Sequence, residues 1–119
     1  MKFCPWYALD DRPEDGPEDG PEDGNEVPPG PGVFQVRAAA LLDYPRGKTA
    51  MVHYQLARDV RAEVSAFAAD HGGRGWLCRH TIEMSASDVD DIAGFYARLV
   101  REFRARFGCE PTPTPQPSS

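Results

Sequence analysis

The sequence predicts an α+β fold of order β-β-α-β-α, a three-stranded, mainly antiparallel sheet packed with helices between disordered termini. Three observations predict it. Val33, Phe34 and Val36, and later Met51, Val52 and Tyr54, are β-forming residues that alternate with polar ones. From Ala57 the apolar spacing changes from two to about 3.6, which is helical. After Gly72-Gly73 an alternating run returns, and a second helical pattern follows it.

Taken in order, the first strand opens at Gly32. Asp43-Tyr44-Pro45-Arg46-Gly47-Lys48 then reads as a turn, because proline presets one φ angle and glycine permits a positive one. The second strand carries Met51 to Tyr54. The first helix runs from about Ala57 to His71, with Val60, Val64 and Phe67 on one stripe, and stops at the glycine pair. Trp76 to Met84 is the third strand. Trp76, Cys78, His80, Ile82 and Met84 lie on one side of it and Leu77, Arg79, Thr81 and Glu83 on the other. Ser85 and Ser87 each have an aspartate three residues on, so either can begin the last helix as a capping box. Its acidic first turn and its Arg101, Arg104 and Arg106 suit the helix dipole. Ile92, Tyr96, Leu99, Phe103 and Phe107 form its apolar stripe, and Gly108 ends it.

The 119 residues hold one domain at most. Residues 1–31 read as a disordered acidic tail built on three Pro-Glu-Asp-Gly repeats, residues 32–108 as the folded body, and residues 109–119 as a disordered Pro/Thr-rich tail. The repeats lack the ligand spacing of a calcium-binding hand. Phe3, Trp6 and Tyr7 form an aromatic cluster ahead of them, a candidate docking motif. The formal charge of −6 is unevenly placed. Residues 1–32 carry nine acids against two bases, whereas residues 33–107 carry eleven bases against nine acids. The body is therefore mildly basic, and the acidic tail is expected to contact its basic face and compete with nucleic acid there. Cys4, Cys78 and Cys109 are too few and too widely spaced for a disulfide framework or a zinc site, which fits reduced thiols in a cytoplasmic protein. No apolar run approaches the ~20 residues that span a bilayer, so no membrane role is expected.

Gly32-Val33-Phe34 on the first strand, His53-Tyr54-Gln55 on the second, and Leu99 to Gly108 at the end of the last helix together resemble the GIY-YIG nuclease superfamily. The similarity covers residues 31–108 and is greatest to the nuclease domain of bacterial excision-repair proteins. The resemblance implies a scaffold for metal-dependent phosphodiester hydrolysis, but most of the family's functional positions are changed. Phe34 stands where the first signature has a tyrosine and lacks its hydroxyl. His53 replaces the second tyrosine, and Gln55 replaces the signature glycine. The helix arginine falls on Glu63, with Arg58 and Arg61 nearby. The metal-binding glutamate falls near Tyr96, and the closing asparagine near Gly108. The resemblance thus implies a degenerate member whose hydrolytic centre is largely lost.

Three further features bear on function. His53, His71 and His80 show no metal-ligand spacing, although the His53 imidazole can act as a general base. Tyr44, Arg46 and Lys48 form a basic loop beside an aromatic, suited to phosphate contact and base stacking. Gly47-Lys48-Thr49 is not a P-loop, since the upstream glycine is absent and a strand follows it. Arg58, Arg61, Arg101 and Arg104 extend the candidate nucleic-acid surface if they converge with that loop. The sequence therefore points to a catalytically impaired nuclease-like module that binds DNA, RNA or a protein partner, with no cofactor and no metal. One alternative is an active endonuclease using Mg or Mn with His53, Arg61, Phe34 and Glu83. Another is a protein-interaction adaptor that does not bind nucleic acid.

Overall fold

The computed structural model describes residues 1–9 and 29–115. The Pro-Glu-Asp-Gly repeats, and the contact expected of them with the basic face, lie outside the described residues. The elements are β1 (Lys2–Phe3), β2 (Tyr7–Ala8), β3 (Gly32–Tyr44), β4 (Gly47–Ala57), α1 (Val60–His71), β5 (Leu77–Ile82), α2 (Ala86–Asp90) and α3 (Ile92–Phe107). This is the expected α+β class with an all-antiparallel sheet, but the sheet has five strand segments rather than three. Its order is β1-β5-β3-β4, with β2 also paired to β5.

The extra strands come from the amino terminus. Lys2 and Phe3 pair with Ile82 and Thr81, and Tyr7 and Ala8 pair with Cys78 and Leu77. Cys4 N–H donates to the His80 carbonyl and Leu9 N–H to that of Trp76, so β1 and β2 are two pieces of one edge strand broken at Pro5-Trp6. Residues 1–9 are thus part of the body, not of a tail, because β5 offers them an open hydrogen-bonding edge. The carboxyl end differs from expectation in the same way. The Tyr44 hydroxyl donates to the Met51 carbonyl at 2.6 Å and accepts from Thr112 N–H at 3.0 Å, holding the Pro-Thr segment against the sheet.

One face of the sheet presents Phe34, Val36, Cys78 and His80, and α1 covers it with Val60, Val64 and Phe67. Asp59 caps α1 by accepting from Ala62 N–H, so the helix begins after Ala57 and not at it. The opposite face is covered by α3, where Phe103 packs edge-on to Tyr44 and Tyr54. The last helix is two helices. Ser85 and Asp88 form a full capping box on α2, the chain breaks at Asp91, and α3 runs on to Gly108 in the left-handed conformation.

The β3–β4 hairpin is longer and tighter than the polar loop expected at Asp43–Lys48. Asp43 pairs with Lys48 and Tyr44 with Gly47, which leaves a two-residue turn, Pro45-Arg46. Two register shifts fall between Val36 and Leu42, and they push Ala39 to Leu41 out to solvent.

Candidate functional site

The proposed catalytic residues do not meet. Phe34 and His53 share a face, with ring centroids 5.8 Å apart, but Phe34 is 0% exposed and His53 stacks on Phe67 at 4.5 Å. α1 packs over both through Phe67. The His53 Nε2–H donates to Gln55 Oε1 at 2.7 Å, and the Gln55 amide donates to Glu63 Oε1. Glu63 Oε2 in turn accepts from the Arg58 and Asp59 backbone N–H groups at 2.8 and 3.2 Å. The imidazole is therefore a tie between β4 and the start of α1. Burial, with a smaller push from His71, keeps its pKa below the ordinary histidine value, although the Gln55 hydrogen bond works the other way. Burial pushes the Glu63 carboxyl up, but its hydrogen bonds outweigh that and hold it below the usual range.

Glu83 lies elsewhere, past the end of β5, where it faces Lys2 at 3.2 Å. Arg61 is exposed on α1. The metal chemistry that the resemblance implies finds no matching donor set. The helix position that would supply a carboxylate holds Tyr96, whose hydroxyl reaches the Tyr54 carbonyl at 3.5 Å, and both Glu63 oxygens already accept hydrogen bonds. Among the described residues, no group of three or more His, Cys, Asp or Glu side chains is gathered to hold a metal ion.

The residues assigned to nucleic acid are also redistributed. Tyr44 is 3% exposed and enclosed by Phe103 and Phe107, so it offers no stacking platform. Arg46 closes the end of α3: its N–H donates to the Phe107 carbonyl at 3.1 Å and its guanidinium to that of Ala105 at 3.0 Å. A cation there suits the helix dipole. Lys48 faces Asp43 and Arg104 faces Glu110, both at 3.5 Å. Arg58 and Arg61 stand by the start of α1, on the other side of the sheet from α3. Arg101 lies in a shallow groove along α3 of about 560 Å³, with Arg98 and Phe95 but also Asp90 and Asp91. The set does not form one surface.

Another set does. On the α3 side of the sheet, the Arg79 guanidinium carbon sits 4.6 Å from the Phe3 ring centre and 4.5 Å from that of Trp6. Arg37 lies 4.4 Å from the same indole. Phe3 packs on Phe95 at 6.1 Å, and Arg98 lies over Phe95 at 5.6 Å. The result is a continuous row, Arg37–Trp6–Arg79–Phe3–Phe95–Arg98, running from β3 across the amino-terminal edge strand to α3.

No protein-family model, curated protein or solved structure matches this chain. Arg79 donates its Nε–H to Gln35 Oε1 at 2.7 Å, which fixes the plane of the guanidinium. Among the described residues no carboxylate forms an ion pair with Arg37, Arg79 or Arg98. Burial, and after it the Arg37 charge, pull the Arg79 pKa below its ordinary value, with Tyr54 opposing. Arg37 and Arg79, set on aromatic faces with no ion-paired carboxylate among the described residues, form an anion-receptive surface.

The sequence flagged Phe3 and Trp6 as a cluster and placed Arg79 on the polar side of its strand. It could not place Arg37 beside them, since that depends on β3 and β5 being neighbours. A fourth constellation is buried. His80 Nδ1 lies 3.0 Å from the Tyr7 hydroxyl and 3.5 Å from Cys4 Sγ, and Tyr7 donates to Cys78 Sγ at 3.4 Å. A thiol beside an imidazole can be nucleophilic, but Cys4 is 3% and His80 0% exposed. That cluster locks the edge strand onto β5.

Proposed function

We propose that this protein is a binding module, not a hydrolase, that its ligand is nucleic acid, and that it is a GIY-YIG-like scaffold whose catalytic positions have been exchanged. One observation carries the ligand assignment: the row of Arg37, Arg79 and Arg98 interleaved with Trp6, Phe3 and Phe95, with no ion pair from a carboxylate of the described residues to any of these guanidiniums. Phosphodiester oxygens complement guanidinium edges, and half-buried rings beside them suit unpaired bases. The absence of hydrolysis is supported by His53 being tied to Gln55 beneath α1, and by Glu83 standing at the far end of β5.

The deciding experiment is fluorescence anisotropy of the full chain with a labelled single-stranded oligonucleotide at low salt. Binding that weakens as salt rises, and weakens further in an Arg37→Gln/Arg79→Gln variant, supports the reading. Binding that is absent at low salt overturns it. The same protein incubated with plasmid and magnesium or manganese leaves the DNA intact; nicking that is lost in His53→Ala would restore the endonuclease alternative. One observation favours a protein partner as the second reading. Leu41, at the tip of the Ala39–Leu41 excursion, is 66% exposed.

A further inference from the structure

We infer that Arg37 and Arg79 together form a seat for a doubly charged phosphoryl group, so that the module holds a nucleic-acid strand by its terminal phosphate rather than along its internal diesters. This rests on the nucleic-acid reading above.

Register brings the two arginines together. Arg37 pairs with Leu77 and Gln35 with Arg79, so Arg37 and Arg79 are diagonal neighbours across the β3–β5 ladder. The backbones of such neighbours stand about 7–8 Å apart, and both guanidinium carbons come within 4.4 and 4.5 Å of one indole centre, which keeps them close enough to share one phosphoryl group. Both lean on the Trp6 indole, and Gln35 takes one Nε–H, so the edge of Arg79 left for a ligand is held in place before anything binds. Pre-organisation of this kind lowers the entropy lost on binding.

Charge selects the ligand. Arg37 and Arg79, which no carboxylate of the described residues pairs with, repel each other. An internal diester brings one negative charge and leaves one cation unmatched. A phosphomonoester carries about −1.5 to −2 near neutral pH and matches both. The far end of the row argues the same way, because the groove beyond Phe95 is lined by Asp90 and Asp91 as well as Arg98 and Arg101. A backbone continuing in that direction would run along carboxylates. A strand that ends at the seat avoids them.

The test compares three probes on the full chain at constant salt: a 3′-labelled oligonucleotide with a 5′-phosphate, the same oligonucleotide with a 5′-hydroxyl, and a phosphoserine peptide of equal net charge. The phosphorylated oligonucleotide is expected to bind about tenfold more tightly than its hydroxyl twin, a difference of about 1.4 kcal/mol. The preference should fade as the pH drops through the second phosphate pKa, about 6, where the monoester loses one charge. Arg37→Gln, which loses only a ring contact, should abolish the preference with an unchanged melting temperature. Lys48→Ala, whose ammonium faces Asp43, should keep it. Equal affinity for the two oligonucleotides at every pH overturns the terminal-phosphate seat and leaves nucleic-acid binding standing. A phosphopeptide held as tightly as the phosphorylated strand, or no binding of either oligonucleotide, overturns the nucleic-acid reading itself.

Discussion

Gly32 opens β3 at a point where backbone and side chains from three elements converge. A Cβ there would lie 2.7 Å from Thr81 Oγ1 and 2.8 Å from Val60 Cγ2, and that hydroxyl is the one that accepts from Val33 N–H at 3.1 Å. The residue is needed for close approach of α1 and β5, independently of any signature it resembles. Gly32→Ala is expected to destabilise by about 1–3 kcal/mol through overpacking, read as a lower urea midpoint at unchanged slope. Glu83 presents the opposite case. Its φ of 56° puts a β-unbranched but non-glycine residue in the left-handed region, and its ion pair with Lys2 is exposed on both sides. Left-handed backbone costs an L-residue about 1–2 kcal/mol, somewhat more than the entropy that glycine adds. Glu83→Gly should therefore raise stability by about 0.5 kcal/mol in the same assay, since the exposed pair contributes little. A destabilised Glu83→Gly protein would mean that the carboxylate holds something more than Lys2.

At the scale of elements, β4 and α1 are joined through side chains that also titrate. His53 has an ordinary pKa of 6.5 and a lower one in the fold. At pH 8 it is neutral whether folded or not, so its contribution is fully present. As the pH falls below 6.5 the unfolded chain takes up the proton first, and stability drops until the folded pKa is passed. Glu63, held below 4.5, keeps its contribution above that value and loses it as the pH falls through the folded pKa. Acid unfolding should thus begin with a shallow loss of thermal midpoint as the pH falls through 6.5, and steepen once it falls below 4.5. His53→Gln should flatten the first step alone. The three central strands and both long helices were legible in the sequence, because Val33–Val36, Met51–Tyr54 and Val60–Phe67 have enough residues to display a period. The edge strand was not: two-residue pieces on either side of Pro5 are too short for alternation to register. Nor was the length of β3, since Ala38-Ala39-Ala40 has no two-residue pattern and the register shifts bend it. The Tyr44–Lys48 stretch has turn chemistry, and it does turn. That its tyrosine faces inward and its arginine caps α3 follows from where α3 ends, which local sequence does not state.

For the whole molecule, the chain's acidity and its proposed ligand appear to the eye to conflict, and the distribution of charge resolves this. The negative charge sits mainly in residues 10–28, while residues 33–107 carry two more bases than acids. Within the body, several of those bases already hold a partner. Lys48 and Arg104 face carboxylates and Arg46 caps a helix, so the basic residues most visible in the sequence are engaged in holding the fold. Arg37, Arg79 and Arg98 lie on rings and form no ion pair with a carboxylate of the described residues. Pairing of β3 with β5 sets the first two side by side, and docking of the amino-terminal strand on β5 supplies the rings that link them to Arg98. The site was illegible for that reason: it is assembled from residues 3, 6, 37, 79, 95 and 98 by sheet order. The two guanidiniums of the seat predict a salt dependence of definite size. Each charge neutralised on a single strand contributes a slope of about −0.7 in log affinity against log salt, so the seat should give about −1.4. Arg37→Gln should bring the slope to about −0.7, and Lys48→Ala should leave it unchanged. A slope near zero in the parent chain would assign its basic surface to a different role, and a slope that Lys48→Ala reduces as much as Arg37→Gln does would move the contact from the sheet to the hairpin tip.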